Sequence, residues 1–290
     1  MKYNLIAKLF IFAAVLTTNG CGGQRRHSDE TEKQEKSEVN DFEITQVVKT
    51  AQRSYRCKGA NELFNDSVPI YSVSTVAIQW PLRMADFQLT SLQDSLKLLA
   101  FGTYKGSIDK TIINALDHPQ GEELYEMEPV DSIPYNKECK VLYKTVNASA
   151  VAFSPQFVVY QVMTSMYDGG AHGISLSRYI TYLFNMNKIL DIPTAFQPGS
   201  EEYLLKAIRD QLMAKYGVTS LDALGQHGIF TDQLYVSPNF YIHGYDIIFH
   251  YNPYDIAAFS EGSVDVEVPY QAVAEYLTPT LLAIMERDGM

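Results

Sequence analysis

The sequence predicts an α+β protein: two α+β domains with mainly antiparallel sheets flanked by helices. Three observations carry this prediction. Runs rich in β-branched and aromatic residues recur along the chain, as in IYSVSTVAIQWPL and QFVVYQVMTSMY. The stretch SVDVEVPY alternates, setting Val264, Val266 and Val268 toward a core and Asp265 and Glu267 toward water. SEEYLLKAIRDQLMAKYG is a plain amphipathic helix, with Leu204, Ile208, Leu212 and Tyr216 in one stripe.

The first element in the chain is a leader. MKYNLIAKLFIFAAVLTTNGCGG has Lys2 and Lys8 ahead of an apolar run from Leu9 to Leu16. That run is too short to span a bilayer, which needs about 20 residues, so residues 1–20 read as a signal peptide. Gly20-Cys21 resembles a lipobox, in which Cys21 carries the lipid. Residues 21–41 are charged and nearly free of apolar side chains, the composition of a disordered tether.

An N-terminal α+β domain is expected over residues 42–153. DFEITQVVKTAQRSYRC and IYSVSTVAIQWPL read as strands, with Pro81 ending the second or marking an edge. TSLQDSLKLLAFG switches to helical spacing through Leu92, Leu96 and Leu99, with Ser91 and Asp94 as a capping pair and Gly102 as the stop. GSIDKTIINAL reads as a second short helix. HPQGEELYEMEPVDSIPYNKE is acidic and proline-broken, an exposed loop. CKVLYKTVNASAVAFS and QFVVYQVMTSMY follow as strands, with the domain boundary between them.

The C-terminal α+β domain is expected over residues 154–290. GISLSRYITYLFNM reads as a strand, and NKILDIPTAF as a turn into a short helix. The long helix begins at a Ser200 cap, has Glu201 and Glu202 at its positive end, and stops at Gly217. NFYIHGYDIIFHY reads as a hairpin turning at His243-Gly244. Asn252, Pro253 and Asp255 are placed to open a brief helix, and Pro269 to open another over YQAVAEYL.

The formal net charge of −11 opposes nucleic-acid binding, because no basic stripe is present to displace counterions. No H-E-x-x-H, G-x-S-x-G, G-x-G-x-x-G or P-loop motif occurs, and no cofactor is implied. No C-x-x-C occurs either. If Cys21 is lipidated, Cys57 and Cys139 remain, either as a disulfide in an oxidising compartment or as two buried thiols. His243 and His250 lie an odd number of residues apart, a spacing that opposes a shared metal on one strand.

One segment stands out. In YDGGAHG, Tyr167, Asp168 and His172 flank Gly169 and Gly170. Two glycines permit a tight turn at positive φ. The segment is either a β-connection fixed by His172 or the rim of a binding pocket. A metal or acid–base site lacks a visible third partner.

YDGGAHG resembles the Tyr-x-Gly-Gly-Ala-His signature of the C-terminal domain in RsiV-like anti-sigma factors and PdaC-like peptidoglycan deacetylases. FYIHGYDIIFHYNPYDIAAFSEGSVDVEVPYQAVAEYL is similar to that domain's closing segment, including its Pro-Tyr-Asp/Glu-Ile-Ala turn, which contains Tyr254. The region upstream is similar, more weakly, to the PdaC-like partner domain. The resemblance implies a pair of α+β domains outside the membrane that bind rather than catalyse. RsiV-like members recognise lysozyme. The deacetylase domain, the sigma-binding segment and the transmembrane helix of those relatives have no counterpart in the matching region.

The expectation is therefore a lipid-anchored lipoprotein of the bacterial cell envelope, attached to a membrane through its anchor only. It binds a cell-wall glycan or a lysozyme-like protein, with Tyr167, Asp168, Gly169, Gly170, His172 and Tyr254 as candidate contacts. Alternatives are an enzyme on envelope polysaccharide and a structural part of an envelope complex. Mass spectrometry of the mature N-terminus is expected to find a lipid-modified Cys21; an unmodified terminus elsewhere would contradict it.

Overall fold

The computed structural model describes residues 37–39, 42–57, 69–118, 126–133 and 139–288. Cys21, the leader and most of the tether lie outside them. In chain order the elements are β1 (Ser37–Val39), β2 (Phe42–Cys57), β3 (Ile70–Met84), α1 (Thr90–Phe101), α2 (Ile108–Asp117), β4 (Met127–Val130) and β5 (Lys140–Phe153). Then come β6 (Phe157–Tyr167), β7 (Ile174–Leu183), β8 (Lys188–Ile189), α3 (Ile192–Ala195), α4 (Glu201–Tyr216) and α5 (Leu221–Gly225). The chain closes with β9 (Phe240–His243), β10 (Asp246–Tyr251), β11 (Val264–Pro269), a 3-10 helix at Tyr270–Tyr276, and α6 (Pro279–Asp288). The α+β class is as expected.

Two sheets result. The larger has eight strands in the order β1-β2-β3-β5-β6-β7-β8, with β4 added to β2. All its pairings are antiparallel except β3 with β5. The smaller sheet is the meander β11-β10-β9. The boundary expected between residues 153 and 154 falls at the turn between β5 and β6, which pair from Tyr143↔Tyr167 to Phe153↔Val158. The large sheet is thus continuous across that point.

β6 explains why. Its first residues, Phe157 to Tyr160, are all buried. Strand alternation sends Val158 and Tyr160 to a core under α1 and α2. It sends Phe157 and Val159 to a second core, built with α4, α6 and the meander. A strand apolar on both faces reads as a continuous run, as FVVY does. Among the described residues no helix is long and apolar enough to cross a membrane.

Several local expectations shift. Pro81 does not end β3, which runs on to Met84. It lies past the last β5 pair, Ile78↔Ala148, so its missing N–H faces no strand on that side. On the other side it meets Ile44 next to a bulge. α1 starts at Thr90 after Leu89, with no side-chain cap, so Ser91 is already inside the helix. Ser200 precedes α4 but is itself helical and makes no capping bond. Gly102 and Gly217 do end their helices at positive φ. The acidic stretch is not wholly a loop: Met127–Val130 forms β4 by pairing with the end of β2. The hairpin register, His243↔Asp246, makes Gly244-Tyr245 the turn, one residue later than expected.

Cys139, just before β5, is disulfide-bonded. The side chain of Cys57 lies outside the described residues. The backbone sets Cys57 two residues past Tyr55, which faces Ile70; Ile70 in turn faces Lys140, next to Cys139. If Cys57 is the partner, Cys57→Ser and Cys139→Ser should each cost about 4 kcal/mol through the long loop released. The double variant should cost no more than either single one, in reversible denaturation without reductant. Additive losses would exclude this pairing.

Candidate functional site

The signature loop joins β6 to β7. Tyr167 ends β6 and donates its hydroxyl to the Gly170 carbonyl at 3.0 Å, closing the loop on itself. Gly169 is buried at φ +92°, a conformation that favours glycine. Gly170 is exposed, and a Cβ there would meet nothing within 4 Å. The glycine under steric constraint is Gly173: a Cβ would sit 2.7 Å from the Tyr143 hydroxyl and 3.0 Å from the Met166 carbonyl. The expectation that Gly169 and Gly170 jointly make the turn is therefore corrected to Gly169 and Gly173. Asp168, half-buried, begins the turn.

His172 points across to the segment after β10. Its ring stacks on Phe259 at 3.8 Å between centroids, 19° from parallel. Tyr254 lies beside Phe259 at 5.6 Å, and its hydroxyl is 3.4 Å from His172 Nε2. His172 Nδ1 is 3.1 Å from the Gly173 carbonyl. An Nδ1–H donating to that carbonyl leaves Nε2 to accept from Tyr254. The result is an aromatic ledge of His172, Phe259 and Tyr254, with Tyr254 52% exposed.

The brief helix expected at Asn252 is a turn instead. The Asp255 carboxylate accepts from the Asn252 N–H at 2.8 Å, and the Asp255 N–H donates to the Asn252 carbonyl at 3.0 Å. Tyr254 takes φ +74° in that turn. A non-glycine residue there is strained by about 1–3 kcal/mol, a cost the surrounding bonds must offset. Tyr167, Asp168, Gly169, Gly170 and His172 thus share one loop, and Tyr254 reaches them from the other segment. Phe259 was missed, since nothing in the sequence separates a ledge phenylalanine from a core one.

Two asparagines hold the segments together. Asn252 accepts from the Ser177 N–H at 2.6 Å and donates to the Ser177 carbonyl at 3.1 Å. Asn239 accepts from the Tyr179 N–H at 2.8 Å and donates to the Ser177 carbonyl at 2.8 Å. Each side-chain amide mimics the peptide group of an adjoining strand. Behind them sits His250, 3% exposed. Its Nδ1 is 2.6 Å from the Asp265 carboxylate and its Nε2 is 3.3 Å from Asn252 Oδ1. The Ser177 bonds fix that Oδ1 as an acceptor. The Asp–His pair thus orients Asn252, whose amide oxygen faces its far nitrogen.

His243 and His250 share a face after all, because the two-residue turn restores their parity across β9 and β10. They are kept apart by distance: His243 pairs with Asp246, and His250 lies further along β10 by roughly 14 Å of strand rise. Among the described residues no group of three or more His, Cys, Asp or Glu side chains could hold a metal ion.

Gly173→Ala should cost about 1–3 kcal/mol by pushing the Met166 carbonyl and the Tyr143 hydroxyl away from the loop. Gly170→Ala should stay within about 0.5 kcal/mol of the parent. Denaturant melts of the two variants check the assignment, and the reverse order would overturn it. Asn252→Ala should also cost about 1–3 kcal/mol by stranding the Ser177 N–H, while the Ser177 carbonyl keeps the Asn239 amide.

Residues 195–271 match the family described as "Protein of unknown function (DUF3298)". No curated protein matches the chain. The fold is similar to a crystal structure of a DUF3298-family member from Bacteroides fragilis, with TM-score 0.68 and 20% identity over 86% of this chain and 99% of that one. It is also similar to a DUF3298-family protein from Pseudomonas aeruginosa, with TM-score 0.55 and 14% identity over 84% of this chain and 98% of that one. Both likenesses reach well upstream of residue 195, so they take in the large sheet as well as the meander. The matched residues, 195–271, carry Phe259, Tyr254, Asn252 and the His250–Asp265 pair, so this half of the candidate site lies in the part of the chain that is similar to the DUF3298 family.

Proposed function

We propose that this protein is a non-catalytic binding module of the bacterial cell envelope, held by a lipid on Cys21. It recognises a cell-wall glycan or a protein that acts on peptidoglycan, such as a lysozyme-like partner. The observation that carries the reading is the exposed ledge of His172, Phe259 and Tyr254, clamped between two segments that are distant in sequence. Aromatic rings with one polar atom at the edge suit sugar faces and protein contacts alike. His172 supports the same reading: both ring nitrogens face neutral partners, a carbonyl and a phenol. The resemblance of YDGGAHG to the RsiV-like and PdaC-like signature is consistent with it, as is the leader ending at Cys21.

Purified peptidoglycan and immobilised lysozyme provide the test. Binding to one of them should weaken by tenfold or more in Tyr254→Ala and Phe259→Ala, with folding retained and no soluble product released. Turnover of the glycan that disappears in His172→Ala would replace the binder with an enzyme.

A further inference from the structure

The meander leaves a second concave surface. Alternation puts Phe240, Ile242, Ile247, Phe249, Val266 and Val268 into the core. The opposite face carries Tyr241, Ile248 and Glu267 in one cross-strand row, and His243 with Asp246 in the next. This face leans on the large sheet at Val151 and Tyr179, enclosing a cleft of about 480 Å³. That size lies within the range of small-molecule sites, roughly 300–1,000 Å³.

The lining is selective. Tyr179 and Tyr241 stack at 4.1 Å and 17°, forming an aromatic wall. The Tyr179 hydroxyl accepts from Gln161 at 2.9 Å, which fixes its ring. Burial, and then the Asp265 carboxylate, push the Tyr179 phenol up to about 12. Tyr241 is raised by burial too, with Asp265 and Glu267 adding to it. Asp246 and Glu267 make no ion pair or side-chain hydrogen bond among the described residues. No Lys or Arg among the described residues lines the cleft. Val151, Ala152 and Ile248 supply the apolar remainder.

We propose that this cleft binds an organic cation: a primary ammonium or guanidinium group on an apolar stem. The charged head meets Asp246 and Glu267, the tyrosine wall takes it by cation–π contact and phenol oxygens, and the stem lies along Val151 and Ile248. Anionic ligands are repelled by the same groups. The site stands independently of the aromatic ledge.

Titration calorimetry on the full mature chain tests it. Cadaverine is the free-cation probe, an N-acetyl-lysine methylamide peptide is the protein-borne one, and glutarate is the anionic control. At least one cationic probe should bind saturably at low salt and more weakly at high salt, while glutarate does not bind. Asp246→Asn/Glu267→Gln should weaken the cation by tenfold or more without changing the melting temperature, and Tyr241→Leu should weaken it with both carboxylates intact. Tyr254→Ala should leave it unchanged. Binding of the peptide alone assigns the head group to a protein lysine; binding of cadaverine as well assigns it to a free amine. Absence of saturable cation binding, equal binding of glutarate, or affinity unchanged in the double variant would overturn the proposal.

Discussion

The structure depends on one strand being apolar on both faces. β6 supplies Val158 and Tyr160 to one core and Phe157 and Val159 to the other. Fully burying such a side chain contributes about 1.5–3 kcal/mol. Four in succession make β6 the common wall of both cores. A helical layer on one side and the meander with its helices on the other are what such a strand requires. The sequence positions around Ser154-Pro155 therefore act as a turn within a sheet, and anything that loosens β6 is felt on both sides of it.

From that wall the candidate site follows. β6 and β7 project the YDGGAHG loop beyond the sheet, and the loop needs a fixed partner to present His172 in one orientation. Asn239 and Asn252 provide it by bonding to β7, and His250 with Asp265 holds Asn252 from behind. A buried polar network of this kind is favourable only when each member finds its partner. Here nearly every donor and acceptor does, which is why the turn bearing Tyr254 can sustain a positive φ.

The parts legible in the sequence were those set by periodicity. The alternation of Val264, Val266 and Val268, the stripe of α4 and the stops at Gly102 and Gly217 follow from local pattern, and the structure has them. The parts that were not legible depend on partners far along the chain. β4 exists because the end of β2 offers an open edge, although MEPV has little strand character of its own. Gly170 and Gly173 are indistinguishable as letters; only the approach of the Met166 carbonyl and the Tyr143 hydroxyl singles out Gly173. Asp265 reads as a solvent-facing residue of an alternating strand, and His250 as one more aromatic on its neighbour, until the register sets them opposite each other. Tyr167, Asp168, Gly169, Gly170 and His172 fall together because their glycine signature is local, whereas Tyr254 was named only through the resemblance and meets His172 from a distant segment. Phe259 was not, because its role arises from stacking.

The amides of Asn239 and Asn252 have a consequence for how a partner can be held. An open sheet margin invites another chain to add itself as a further strand, and many peptide-recognition domains use that mode. Along β7 the outward groups of Ser177, the Tyr179 N–H and the Thr181 carbonyl are already taken, by the two asparagines and by the Leu190 N–H. Main-chain zippering is closed off along this stretch. Whatever docks beside it must be read through side chains, so selectivity there rests on the shape and charge of the ligand and not on an extended backbone.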